Sequence, residues 1–338
     1  MNHLITGGAG FIGCNLAHAL LSRGEPVTVL DNLSRPLTSL NLEWLRRQHN
    51  GPLRFIQADI RKADAMREAV AGHDVVYHLA GQAAVTTSVQ DPRSDFEINV
   101  LGTLNVLEAA RLTKRPPIVF FASTNKVYGS METIAIEERE TRYCYGNLPR
   151  GMSETQRLDF HSPYGCSKGA ADQYVSDYAR TYGLRTVVFR QSCIYGPRQF
   201  GVEDQGWAVH FVISAVFGRP ITIYGDGKQV RDMLYVDDLI AAYLAALEHI
   251  DTVSGRTYNI GGGPQNTLSI WAEFGPLLKS LTGRPIRVRY NNWRPSDQLV
   301  YISDISKVAC ELDWQPRVSV LDGIERLVCW VKENQKVF

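Results

Sequence analysis

Short apolar and β-branched runs alternate with longer stretches of helical period through the first half of the chain. Residues 3–6, 27–30, 53–58, 75–79, 118–122 and 185–189 read as strands. Between them, residues 11–23 (closed by Gly24), 40–48, 63–71, 95–112 and a stretch beginning near Tyr164 read as helices. Strands that are apolar on both faces and separated by helices predict a parallel sheet covered on both sides. The expected class is α/β, a doubly wound parallel sheet.

Beyond Tyr195 the pattern changes. Gly196-Pro197, Gly218-Arg219-Pro220, Gly225-Asp226-Gly227 and Gly261-Gly262-Gly263-Pro264 cut the chain into short mixed elements, which predicts a smaller, discontinuous C-terminal α/β lobe. The helical stretch 236–248 and the strand-like 257–260 are apolar enough to return to the first domain. The expected division is a first domain of residues 1–195 with returning segments at about 230–262, and a second lobe of 196–229 and 263–338.

Composition narrows the function. Lys plus Arg number 36 against 35 Asp plus Glu, a formal net charge of +1, so the long-range positive field that drives phosphate-backbone binding is missing and nucleic acid is not an expected partner. No apolar run approaches the roughly 18 residues of a membrane span. The six cysteines, Cys14, Cys144, Cys166, Cys193, Cys310 and Cys329, show no C-x-x-C spacing, so free thiols and no metal site are expected. Met1-Asn2-His3 runs directly into the first strand without a signal-like segment, which points to the cytoplasm.

The first strand leads into Gly7-Gly8-Ala9-Gly10-Phe11-Ile12-Gly13 and then a helix. The run parses as G-x-G-x-x-G through Gly8, Gly10 and Gly13, or as G-x-x-G-x-x-G through Gly7, Gly10 and Gly13. Either supplies a tight turn, backbone N–H groups open to a pyrophosphate, and close helix–strand packing, the signature of a dinucleotide-binding Rossmann domain. Asp31 closes the second strand, near the spacing of about 20 residues at which a carboxylate accepts the adenosine ribose hydroxyls. It would repel a 2′-phosphate, so NAD rather than NADP is expected, although Arg35 just beyond is a counter-signal. Asn32, Ser34 and Arg35 complete that corner. Asp59 and Ile60 after the third strand, and Leu79, Ala80 and Gly81 after the fourth, are expected to flank adenine and line the dinucleotide.

Tyr164 and Lys168 stand four apart near a helix start, hence on one face, and Thr124 follows the fifth strand on the edge where ligands of such sheets sit. These residues resemble the Ser/Thr, Tyr, Lys signature of the extended short-chain dehydrogenase/reductase superfamily, over nearly the whole chain. The resemblance implies a catalytic set of Thr124, Tyr164 and Lys168, with Tyr164 and Lys168 also touching NAD. Bringing a phenol of pKa about 10 down by ~3 units requires about 4 kcal/mol. Lys168 and an oxidised nicotinamide, each at roughly 5 Å, would supply ~3 kcal/mol apiece at an effective dielectric of 20. Tyr164 would then take a sugar hydroxyl proton while hydride leaves the same carbon, with Thr124 holding the oxygen.

Dehydratases of the superfamily carry Asp-Glu directly after the catalytic Thr; here those positions are Asn125-Lys126, so dehydration is excluded and epimerisation or net redox is left. Arg294-Pro295-Ser296-Asp297 with Tyr301, and Arg231, resemble the superfamily's nucleotide-sugar contacts: arginines for the diphosphate, Asp297 for the nucleoside ribose. Residues 159–174, 204–207 (with Gln205), 78–82 and 86–88 resemble the nucleotide-sugar 2-epimerases more specifically. Inversion at C2 demands oxidation at C2 itself, since a C4 ketone acidifies only C3 and C5. A 4-epimerase is the alternative within the class, and a non-catalytic NAD-binding regulator the alternative outside it. Helices near 98–112 and 166–182 resemble the superfamily's four-helix dimer seam, implying a homodimer or homotetramer.

Overall fold

The computed structural model describes residues 1–294 and 297–338; Pro295 and Ser296 of the arginine-to-aspartate segment lie outside the described residues. The chain folds as two compact units. One comprises residues 1–127, 162–190 and 240–258, the other 128–161, 191–239 and 259–338.

The first unit is built on strands β1 (His3–Thr6), β2 (Val27–Asp31), β3 (Leu53–Gln57), β4 (Val75–His78) and β5 (Ile118–Thr124), all paired in parallel. With Thr186–Gln191 and Arg256–Ile260 they form a seven-stranded sheet in the order Arg256–Ile260, Thr186–Gln191, β5, β4, β1, β2, β3. Strand order reverses at β1, whose Ile5 lies opposite Val29 of β2 and Tyr77 of β4. That reversal opens a crevice beyond the carboxyl ends of β1 and β4, the place where doubly wound sheets bind ligands. One face of the sheet is packed with rings: Tyr77 stacks on Phe120 at 5.2 Å, and Phe189 lies 4.8 Å from Tyr243 and 6.2 Å from Tyr258.

The helix expected over residues 95–112 is present as one continuous helical run from Pro92 to Arg111, but it starts earlier and carries a π-helical turn. Asp91 accepts a hydrogen bond from Ser94 N–H at 3.0 Å and Pro92 occupies the first turn, so a new helix starts at Pro92–Phe96, after a separate Val85–Gln90. A π-helical turn, Glu97–Leu101, then precedes the regular helix Gly102–Arg111. Such a turn inserts a residue into the helical repeat and here presents Asn99, 1% exposed, to the interior. Gly102 allows close packing, since a Cβ there would lie 2.5 Å from Ile60 Cδ1.

The second unit holds a small mixed sheet in which Val230–Tyr235 runs parallel to Cys193–Tyr195 and Val300–Tyr301 and antiparallel to Thr267–Ser269. Its core gathers Phe211, Val212, Ile223, Met233, Phe274, Leu327 and Val331 around the helices Trp207–Phe217, Phe274–Thr282 and Val320–Glu333. Residues 128–161, expected with the first domain, belong here because their hydrogen bonds reach far along the chain. Tyr128 Oη donates to Asn259 at 2.8 Å, Tyr143 N–H to the Lys228 carbonyl at 3.0 Å and Met152 N–H to the Ile302 carbonyl at 2.7 Å. Arg142 also pairs with Glu273. The returning segment correspondingly starts at residue 240 rather than about 230.

Phe189, fully buried among the rings of the first unit, sets a test of this packing. Phe189→Ala should destabilise the protein by about 3–5 kcal/mol through lost transfer energy and the cavity left behind, read as a lower midpoint in urea denaturation.

Candidate active site

At the end of β1 the chain turns at Gly7, whose φ is +68°. A side chain there would be strained in conformation and would also place a Cβ 2.7 Å from the Ala80 backbone nitrogen. Gly13 is equally confined, facing the Gly7 carbonyl across the turn. Gly10 N–H donates to the Gly7 carbonyl at 3.0 Å, and Gly10 is the N-cap of the helix Phe11–Ser22. The result is a side-chain-free turn at a helix N-terminus, flanked by half-buried Phe11 and Ile12. This cradle fits a pyrophosphate.

Asp31 ends β2 beside it. Its carboxylate accepts from Ala9 N–H at 3.1 Å and Leu33 N–H at 2.8 Å, which fixes the side chain and leaves lone pairs for hydroxyl donors. Burial pushes its pKa upward, against those bonds and the nearby Arg35. Asn32 bridges to Asp59 at 3.2 Å and receives Ser34 N–H at 3.1 Å. Asp59 is held down at about 2 by its two-pronged pair with Arg61, while Ile60 is buried beside it. Leu79, Ala80 and Gly81 leave β4 alongside the glycine turn, with Leu79 N–H donating to the Thr6 carbonyl at 3.1 Å.

Tyr164 and Lys168 lie on the helix Ser162–Tyr182. Ser162 adopts a left-handed φ of +64° and its Oγ accepts the Gly165 N–H at 3.2 Å, so the helix begins at a sharp capped corner. Ser88, fully buried, accepts the Tyr164 N–H at 3.1 Å. The Thr124 hydroxyl is hydrogen-bonded to the Tyr164 phenol. The Lys168 ammonium lies 4.2 Å from the centroid of the Phe121 ring. Thr124, Tyr164 and Lys168 are therefore gathered at the end of β5, and the structure adds Asp172, on the same helix face.

Asp172 is fully buried and accepts two hydrogen bonds from Arg190, at 2.9 and 3.0 Å, and one from Ser123 at 2.7 Å. Continuing the 164, 168 spacing by one step would have found it. Asn99 carried no local signal: its amide nitrogen shares its two hydrogens among the Gln82 carbonyl, Asp95 and Ser167, and its oxygen receives Gln82 N–H, tying the loop after β4 to the helix Ser162–Tyr182.

The electrostatics differ from the expectation that Lys168 lowers the phenol. Burial dominates both groups, raising Tyr164 to about 12, with Asp95 pushing the same way and the Thr124 bond opposing. It lowers Lys168 to about 8 against Asp172 and Asp95. Burial therefore holds the Tyr164 phenol above its ordinary range.

Beneath the crevice His78 has a unique proton arrangement. The Thr103 hydroxyl donates to the Asn99 carbonyl at 2.6 Å, so it must accept from His78 Nε2–H at 3.0 Å. His78 Nδ1 then accepts from the Thr6 hydroxyl at 2.7 Å, which itself receives Ala80 N–H at 3.3 Å. His78 is neutral, its pKa pushed down to about 3 by burial and by Lys168.

In the second unit the predicted substrate residues form two clusters. Arg231, 8% exposed, donates to Asp297 at 2.7 Å and to the Val230 carbonyl at 2.8 Å. Arg294 packs over the Tyr224 ring at 4.1 Å and donates to Asp204 and the Glu203 carbonyl, each at 3.1 Å. Gln205 closes that loop through reciprocal backbone bonds with Val202 at 2.9 and 3.0 Å. Tyr301 is fully buried and stacked on Tyr128, with Arg231 opposite it in the parallel pairing. None of the six cysteines forms a disulfide, and among the described residues no His, Cys, Asp or Glu cluster is arranged to hold a metal.

His78 sets a prediction. Its folded-state pKa lies below the ordinary value of 6.5, so the unfolded chain binds the extra proton first and stability is lost as pH falls below about 6.5, by roughly 1.4 kcal/mol per pH unit. Urea denaturation at pH 7 and pH 5 should show a smaller acid loss for His78→Gln than for the unaltered protein.

The chain is similar along its whole length to known sugar-nucleotide enzymes. It is 46% identical over 337 residues, covering 98% of this chain and 99% of the relative, to CDP-paratose 2-epimerase of Salmonella typhi. Among solved structures, UDP-glucose 4-epimerase of Thermotoga maritima with UDP-glucose aligns with a TM-score of 0.84 at 31% identity, covering 99% and 100% of the two chains. UDP-glucuronic acid 4-epimerase of Bacillus cereus, in complex with UDP-glucuronic acid and NAD, aligns with a TM-score of 0.84 at 30% identity, covering 98% and 99%. Residues 3–261 match the family described as NAD dependent epimerase/dehydratase, and the chain belongs to that family.

Proposed function

We propose that this chain is an NAD-dependent nucleotide-sugar 2-epimerase of the CDP-paratose/CDP-tyvelose type, an isomerase that inverts C2 by transient oxidation at that carbon. The observation that carries the reading is its 46% identity, end to end, to CDP-paratose 2-epimerase. The 4-epimerase alternative draws on relatives at 33% identity or less. A regulator that only binds NAD would have no use for the buried Thr124, Tyr164 and Lys168.

The cradle at Gly7, Gly10, Phe11, Ile12 and Gly13 fits the pyrophosphate, and Asp31 fits the adenosine ribose, with Asn32, Ser34 and Arg35 at its edge. Asp59 and Ile60 flank adenine, and Leu79, Ala80, Gly81, Tyr164 and Lys168 line the remainder. When bound, NAD supplies a reversible hydride acceptor and a positive ring. Tyr164 removes the proton from the C2 hydroxyl and later returns it, while Thr124 holds that oxygen within hydrogen-bond reach. Lys168 stabilises the tyrosinate electrostatically. Asn125 and Lys126 follow Thr124 where dehydration needs an acid and a base, so the sugar leaves with its hydroxyls intact. In the second unit Arg231 and Arg294 grip the diphosphate, Asp297 the nucleoside ribose, and Gln205 and Tyr301 complete that substrate set.

We also assign a homodimer or homotetramer. Val89, Phe96, Leu112 and Tyr174 are 61%, 55%, 58% and 45% exposed on helices of the first unit, more apolar surface than isolated helices usually leave to solvent. Cysteines outside any disulfide suit a cytoplasmic enzyme, and among the described residues no helix is long and apolar enough to cross a membrane.

With CDP-paratose deuterated at C2 and no added NAD, the CDP-tyvelose formed should retain deuterium at C2. Complete exchange with solvent would overturn oxidation at C2. Tyr164→Phe should lower kcat by about 10²–10⁴; unchanged turnover would remove Tyr164 from the mechanism. Light scattering should show a Phe96→Asp/Tyr174→Asp double variant as monomer if those helices form the seam.

A further inference from the structure

Asp95 is a buried carboxylate that the reaction scheme above does not use. It sits near the end of the short helix Pro92–Phe96 and is 1% exposed. Its Oδ1 accepts from the Asn99 amide at 3.2 Å, and the same amide reaches Ser167 at 3.0 Å. Its Oδ2 is buried with no hydrogen-bond partner among the described residues. Ser167 lies between Tyr164 and Lys168 in the chain, accepts from Asn99 at 3.0 Å and donates to the Tyr164 carbonyl at 3.2 Å. Asp95 is thus tied through Asn99, by two hydrogen bonds, to the turn of helix that presents the catalytic pair.

The charges around it are few. The helix Ser162–Tyr182 turns Tyr164, Lys168 and Asp172 toward this region, while Val85–Gln90, packed on the other side, carries no ionisable side chain. On its own stretch Arg93 is paired with Glu97, and Asp91 caps the helix start. Asp172 is already matched in charge by its buried pair with Arg190. Asp95 is left as the carboxylate whose charge is not otherwise balanced, and it acts on both Tyr164 and Lys168.

We infer that Asp95 is a positioning residue for the Tyr164–Lys168 pair: it is a second counter-ion, beside Asp172, for the buried Lys168 ammonium, and it tunes the pH at which Tyr164 releases its proton. The inference rests on the catalytic roles given to Tyr164 and Lys168. Its sign is fixed. A carboxylate raises the pKa of a neighbouring phenol and of a neighbouring ammonium alike, so removing the charge lowers both. Burial raises the Asp95 carboxyl itself, and Lys168 and Ser167 pull it back, as expected of a counter-ion held in a dry site.

The test is the pH dependence of kcat for the NAD-loaded enzyme and for Asp95→Asn, Asp95→Ser and Asp95→Glu. Asp95→Asn and Asp95→Ser should move both limbs of the bell-shaped profile to lower pH by about one unit, with KM for the nucleotide sugar unchanged. Asp95→Glu, which keeps the charge, should leave the limbs near their original positions. A second readout needs no turnover: the phenolate absorbance of Tyr164, isolated as the difference between Asp95→Asn and Asp95→Asn/Tyr164→Phe, should titrate at lower pH than the same difference in the parent. Limbs and phenolate titration that stay in place while activity falls uniformly would make Asp95 purely structural and overturn the inference. Full activity in Tyr164→Phe would instead overturn the catalytic reading, and this one with it.

Discussion

Burying an ammonium ion is the demand around which the first unit is arranged. Lys168 sits 7% exposed with its head over Phe121, where desolvation pulls its pKa down. Keeping the charge requires carboxylates nearby, and these are costly in turn unless they are hydrogen-bonded. Asp172 meets that condition by taking Arg190 in two-pronged geometry and Ser123 at the end of β5. Ser123 is the neighbour of Thr124, so the bond that satisfies Asp172 also fixes the strand end that offers the Thr124 hydroxyl. Charge burial and active-site geometry are one set of contacts.

The same reasoning explains the irregular chain between β4 and β5. A regular helix over 95–112 would have been the cheapest structure, and its apolar period predicts one. The π-helical turn Glu97–Leu101 gives up that regularity to place Asn99 where it joins Gln82, Asp95 and Ser167. Thr103 and His78 then lock the Asn99 carbonyl from beneath. A neutral histidine is the suitable residue, because one nitrogen must donate and the other accept, and a charged ring beside Lys168 would add a second buried cation.

What was legible in the sequence is what short spacing determines. Gly7, Gly10 and Gly13 lie within one turn, Asp31 at the end of the next strand, and Tyr164 and Lys168 within a single helical turn, so their chemistry shows without knowledge of distant contacts. The choice between the two glycine parsings was not legible, since it depends on how Gly7 meets Ala80. Asp95, Asn99 and His78 were missed for the same reason: each acquires its role from partners far along the chain. Residues 128–161 were assigned by proximity in sequence to the first domain, whereas Asn259, Glu273 and Ile302, which hold them, come more than a hundred residues later. The helix start at Pro92 was readable in principle, as the Asp91 N-cap followed by proline, three residues before the expected start at Asp95.

The arginines of the second unit give the near-zero net charge a more definite meaning. Neither waits as an open cation. Arg231 is paired with Asp297, and Arg294 lies on Tyr224 with Asp204 at its edge. On the proposed reading, a dianionic ligand bound there would exchange one anion for another, so gross Coulomb attraction would largely cancel. What remains is the planar, two-pronged fit of guanidinium to phosphate and the release of Asp204 and Asp297 to other donors, such as the hydroxyls of a ribose. Recognition by exchange favours a ligand that offers both phosphate oxygens and vicinal hydroxyls, and it gives inorganic phosphate or a polyanionic backbone little advantage. On the proposed assignment of Arg231 and Arg294 to the diphosphate, paired arginines would confer selectivity for a nucleoside diphosphate without a basic surface.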